Sequence, residues 1–96
     1  MMKFKGEFFF DPEDKIYKDH FPGNPIVPGS LIIYAFLKKV GEIKNHPFHE
    51  ISIENFRFRI FIRPGIYDYE ITETDKILKC ILFSENKKAA TGIIKL

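Results

Sequence analysis

A histidine, a proline- and glycine-rich stretch and the start of an apolar helix meet in HFPGNPIVPGSLIIY, from His20 to Tyr34. Imidazole is the side chain best suited to taking up a proton near neutral pH, so His20 could serve as a base. Gly29 stands where the helix begins, and the first N–H groups of a helix are unspent and carry a partial positive charge. Without a side chain there, a ligand carbonyl could come close to the Gly29 N–H, the geometry that stabilises a developing oxyanion. Both residues also have plainer readings. A lone histidine is more often a satisfied structural residue, and Pro28-Gly29-Ser30 can simply start a helix with Ser30 as its cap.

Other groups offer less. His46 and His49 flank Pro47-Phe48 in a connector, and the spacing of the three histidines fits no ligand motif, so neither metal nor cofactor is expected. Asp19 adjoins His20, but neighbours in an extended chain point opposite ways. Glu42 lies about two turns beyond Tyr34 and is expected to be too far along the helix to share its site. There is no Gly-rich phosphate loop and no GxSxG turn. Cys80, the single cysteine, sits in KILKCILF and reads as a small core residue. One cysteine excludes a disulfide framework within the chain.

The elements that must position these groups follow from patterning. Residues 3–10 read as a strand with Phe4, Phe8 and Phe10 on one face and Lys3, Lys5 and Glu7 on the other. Gly6, on the apolar face, suggests a bulge. Asp11 to Asp14 is a turn. Pro22, Pro25 and Pro28 recur every three residues, so Ile16 to Gly29 is predicted to be an ordered, extended, non-helical loop. A helix is predicted from about Ser30 to Ile43. Leu31 to Leu37 are apolar on every side, which predicts a helix buried all round at its start. Ile51 and Ile53 alternate, then Phe56, Phe58, Ile60 and Ile62 alternate in the opposite phase, which predicts a bulge near Glu54-Asn55. Strands follow at Tyr67 to Ile71, Ile77 to Phe83 and Ala89 to Leu96. Their short connections predict an antiparallel meander. The sum is an α+β domain in which a sheet curls around a buried helix.

Composition bounds the partners. The chain has 96 residues, enough for one domain over 1–96. Its net charge is +2 with dispersed cations and no basic run, which gives nucleic-acid binding no support. No secretory leader and no membrane span is expected, and a reducing cytoplasm is the default compartment.

Taken together, HFPGNPIVPGSLIIYA resembles the signature of FabZ-type β-hydroxyacyl-ACP dehydratases, which have the hot-dog fold. The stretch ENFRFRIFIRPGIYDYEI resembles, more weakly, that family's strand with a Lys/Arg-Phe-Arg element and a Pro-Gly turn. The likeness covers about residues 8–96, and the family's N-terminal helix and first strand find no match. It implies one long central helix wrapped by a curved antiparallel sheet of about five strands. It implies dimers joined edge to edge, with active sites between subunits. The substrate would be a 3-hydroxyacyl chain borne as acyl-phosphopantetheine on acyl carrier protein. By motif, His20 would remove the α-proton and the Gly29 N–H would polarise the thioester carbonyl. Phe21, Pro22, Gly23, Val27, Pro28 and Ser30 would line the substrate. The family's helix acid falls on Tyr34, and a phenol with a pKa near 10 is a far poorer proton donor-acceptor than a carboxyl. The expected assembly is therefore a dehydratase subunit completed by a paralogous hot-dog chain. A homodimeric His-only enoyl-thioester isomerase or slow dehydratase, and a non-catalytic module that binds acyl chains or carrier protein, stay open beside it.

Overall fold

The computed structural model describes residues 1–19, 23–47 and 50–96, the side chains of Lys18 and Asp19 apart. The elements are β1 (Met2–Phe10), α1 (Ile16–Asp19), α2 (Gly29–Lys44), β2 (Ser52–Phe58), β3 (Gly65–Thr74), β4 (Ile77–Ser84) and β5 (Lys87–Lys95). The strands form one sheet in the order β1-β3-β4-β5-β2, antiparallel throughout. Helix α2 lies against one face, which is the hot-dog arrangement.

Phe36 pins the helix to the sheet. It is fully buried, with its ring 5.0 Å from Phe8, 6.0 Å from Phe56 and 6.2 Å from Tyr69. Phe8 in turn stacks on Tyr69 at 4.3 Å. Ile71, Leu78, Leu82 and Ile94 complete the fully buried floor. Cys80 lies among them, and burial pushes its thiol up to about 12, so it stays a protonated, inert core residue.

Four expectations are corrected. The strands after α2 are not one meander: only β3, β4 and β5 are, and β2 crosses to pair with β5. The crossing is made by the residues after β2. Arg59 N and Ile60 N donate to Ala89 O, and Ile62 O then accepts from Val27 N at 2.8 Å, which carries the chain over the start of α2. Residues 16–19 are helical rather than extended. The Asp14 side chain and carbonyl accept from Ile16 N and Tyr17 N, and the first restriction from Pro22 falls only on residue 21. Gly6 makes no bulge; β1 and β3 pair without a break from Met2 to Phe10. Its lack of a side chain instead admits the Tyr69 ring opposite, whose Oη lies 2.7 Å from where a Cβ would stand. Finally, α2 is not buried all round. Only the stripe Ile32, Phe36 and Val40 is buried, and the opposite face is open in the single chain.

The predicted bulge is present. Asn55 is left-handed (φ 54°), and the β2–β5 register shifts between Glu54 and Arg57. The shift turns Phe56 and Phe58 toward the helix. Phe56 covers Gly92 of β5 so closely that a Cβ there would meet the base of its ring. Gly92→Ala would gain about 0.5–1 kcal/mol in backbone entropy, but overpacking costs about 1–3 kcal/mol. The clash wins because the ring atoms nearest the Cβ are those closest to the Phe56 backbone. Net destabilisation of about 1–2 kcal/mol is expected in urea unfolding, and no loss would mean that Phe56 is free to turn away.

Candidate functional site

The start of α2 is fixed from two sides. Pro28, extended at φ −62° and ψ 147°, is the N-cap, and among the described residues no side chain caps the helix. Ser30 is therefore not the cap: it lies inside the first turn, one residue past Gly29, with its side chain exposed. The Pro28 carbonyl accepts from Leu31 N at 3.0 Å and Ile32 N at 3.4 Å. The Gly29 and Ser30 N–H groups precede the first intrahelical donors, so helix geometry leaves them for another acceptor. Val27, buried, holds the preceding loop to Ile62 through its N–H.

The packing around Gly29 itself requires glycine. A Cβ there would stand 2.7 Å from Cζ and 2.8 Å from Cε2 of Phe58. The side-chain space is thus taken by a protein ring. Gly23 is left-handed at φ 83° with open space around it, so its backbone angle alone demands glycine. His20, Phe21 and Pro22 lie outside the described residues.

Tyr34 projects from the outer face of α2, 53% exposed. It lines an open groove of about 420 Å³ between α2, the end of β1 and α1. Leu31, Lys38 and Glu42 lie on the same wall, and Phe8, Phe10 and Tyr17 stand across from them. Glu42 therefore shares the groove with Tyr34, against expectation: residues four apart stack on one side of a helix, and the groove runs along that side. Three of the groove's carboxylates are engaged locally. Asp11 accepts from Glu13 N at 2.8 Å, Asp14 from Ile16 N at 3.1 Å, and Glu42 pairs with Lys39 at 3.1 Å. The Tyr17 hydroxyl is buried with no hydrogen-bond partner among the described residues. Burial above all, with the Asp14 charge, pushes its pKa up, so it stays a neutral phenol.

The structure thus assembles Val27, Pro28, Gly29 and Ser30 at the head of α2 and places Tyr34 on the helix's open side. Phe58 was missed from sequence; its only signal was the reversed alternation after Asn55. Among the described residues no group of three or more His, Cys, Asp or Glu could hold a metal, and no helix is long and apolar enough to cross a membrane.

The chain is similar to proteins named 3-hydroxyacyl-[acyl-carrier-protein] dehydratase FabZ. That of Aliarcobacter butzleri is 33% identical over 89 residues, covering 79% of this chain and 60% of the relative. That of Ligilactobacillus salivarius is 34% identical over 92 residues, covering 82% of this chain and 66% of the relative. The chain thus spans less than two thirds of these relatives' length. Among solved structures, the dehydratase heterocomplex ApeI:P from Xenorhabdus doucetiae superposes with a TM-score of 0.67 at 22% identity, over 97% of this chain and 85% of that one. A hypothetical protein from Aquifex aeolicus superposes with a TM-score of 0.61 at 16% identity, over 98% and 95%. Both share the fold. The family described as ApeI-like, ApeI dehydratase, matches residues 2–92, and the chain belongs to it.

Proposed function

We propose that the chain is one subunit of a 3-hydroxyacyl-ACP dehydratase, completed by a second, different hot-dog subunit. The reading is carried by the head of α2, where the Gly29 N–H donates to no described residue while the helix position that holds the family's acid bears Tyr34. His20 takes the α-proton of the carrier-borne thioester, and the Gly29 N–H takes up charge on the carbonyl oxygen as the enolate forms. The partner's acid gives a proton to the 3-hydroxyl, water leaves, and the enoyl thioester remains. Phe21, Pro22, Gly23, Val27, Pro28 and Ser30 line the path.

The sheet supports the pairing. Its outer strands are β1 and β2. The β1 edge carries exposed Lys3 and Lys5, the charges that discourage strand addition. The β2 edge has no lysine and leaves Ile53 half-exposed, and we take it as the joining edge. That the solved ApeI:P structure is a dehydratase heterocomplex agrees with two unlike chains.

Co-expression with neighbouring hot-dog genes, followed by native mass spectrometry and a dehydration assay, tests the reading. A mixed dimer active on 3-hydroxyacyl-ACP is expected. A stable homodimer that ignores such partners would sink it. In the chain alone, Tyr34→Glu is expected to raise dehydration about tenfold or more, because a well-placed acid contributes about 10²–10⁴. No gain in a folded variant would mean that the groove at Tyr34 does not face the reacting hydroxyl.

A further inference from the structure

We propose that Phe58 is the wall against which the thioester carbonyl is seated, and so a positioning residue for the acyl substrate. This rests on the reading that the carbonyl is held by the Gly29 N–H. Phe58 is the last residue of β2, paired with Ala90 across the ladder. The register shift after Glu54 aims it at the helix, and its ring tip fills the space beside Gly29 where a side chain would stand. The contact covers only part of the ring: Phe58 remains 41% exposed, although it lies against the first residue of α2. A half-exposed aromatic ring therefore stands beside the first residue of α2, whose N–H donates to no described residue.

The ring is held there. Immediately after it, Arg59 N and Ile60 N donate to Ala89 O at 2.8 and 3.2 Å, and Ile62 O accepts from Val27 N. The strand end that carries Phe58 and the loop that leads into Gly29 are thus tied to one another. Such a wall has two effects. It keeps water from one side of the donor, which strengthens a hydrogen bond to an arriving carbonyl oxygen. It also gives the apolar atoms flanking that carbonyl, the thioester sulfur and the first acyl carbons, a surface to lie on. Hydrated anions gain nothing from the second effect, so the pair Gly29–Phe58 selects an acyl thioester over a free phosphate or carboxylate. Because the contact is made at the carbonyl end, its contribution should not grow with acyl length.

The chain contains no tryptophan, so Phe58→Trp is a single-site reporter. The full chain with its partner subunit is titrated with acyl-pantetheine thioesters of short and long chain and with free pantetheine, and emission is read as the difference from the unsubstituted complex. A saturable shift with every acyl thioester and none with free pantetheine is expected. By calorimetry, Phe58→Ala should bind acyl-pantetheine about five- to twentyfold more weakly, equally for short and long chains. Phe58→Leu, the variant least apt to disturb folding, should lose affinity in the same direction by a smaller factor. If the native complex binds the thioesters while the reporter is silent or the affinities of Phe58→Ala and Phe58→Leu are unchanged, the wall is refuted and the dehydratase reading stands. A loss confined to long chains also refutes it, since that is a distal tunnel wall. If the native complex binds no acyl-pantetheine, the dehydratase reading fails and the wall with it.

Discussion

His20→Ala, in the complex with the partner subunit, is expected to lower kcat for dehydration by about 10²–10⁴. The α-proton of a thioester leaves only to a base held against it, and nothing else assigned to the head of α2 can take it up. The Gly29 N–H is a donor, Ser30 is a hydroxyl without a base beside it among the described residues, and Tyr34 carries no carboxylate or imidazole. KM should change little, because Gly29 and Phe58, proposed to seat the carbonyl, are untouched. The pH profile separates a base from a structural histidine. A base must be neutral to work, so the native rate should fall as pH drops through the ordinary imidazole range, about 6.5, and the residual rate of His20→Ala should lack that limb. If the folded variant keeps full activity in dehydration and in double-bond isomerisation, the chain is a binding module and its histidine a relic of the motif.

How much of this was legible in the sequence depends on the range of the interaction concerned. Helix α2 was legible almost to its ends, because its apolar run and the prolines before it are local signals. The bulge at Asn55 was legible because a two-residue period changes phase within a strand only where an extra residue is inserted. The pairing of β2 with β5 was not, since a strand's neighbour is chosen by contacts remote in sequence. Short helix α1 was obscured by the prolines that follow it, when the local cap at Asp14 decides the turn. The candidate site divides in the same way. Gly29 and Ser30 stood out in a contiguous motif, although the cap proved to be Pro28. Phe58 did not, because its meeting with Gly29 joins residues 29 positions apart, from the sheet to the helix. The open groove that holds both Tyr34 and Glu42 was hidden because the apolar run suggested a helix closed on every side, whereas a single chain covers only one stripe.

The largest expected loss of stability is at Phe36 of α2, the ring that Phe56 of β2 packs against. Phe36→Ala should cost about 3–5 kcal/mol, the range for removing a core aromatic. Phe36 is fully buried and its ring meets Phe8, Phe56 and Tyr69, which come from three different strands, so no single neighbour can move in to fill the space. No ion pair among the described residues competes: Lys44–Glu73, the most shielded at 2.9 Å, is still partly open to water and worth at most about 1 kcal/mol. Domains of this size have about 5–15 kcal/mol in all, so the variant should unfold at a much lower urea concentration with an unchanged slope. Phe36→Leu, which keeps most of the volume, should cost less than about 2 kcal/mol. A loss under about 1.5 kcal/mol for the alanine would show that the helix can settle onto the sheet without its central ring. The position of the residue adds a functional consequence. Phe56 meets α2 at Phe36 and Phe58 meets it at Gly29, two turns nearer the N-terminus, so β2 grips the helix at two points. Phe36→Ala releases one grip and leaves the other. Where the variant is still folded, binding of acyl-pantetheine should therefore survive better than stability does, whereas Phe58→Ala should show the reverse.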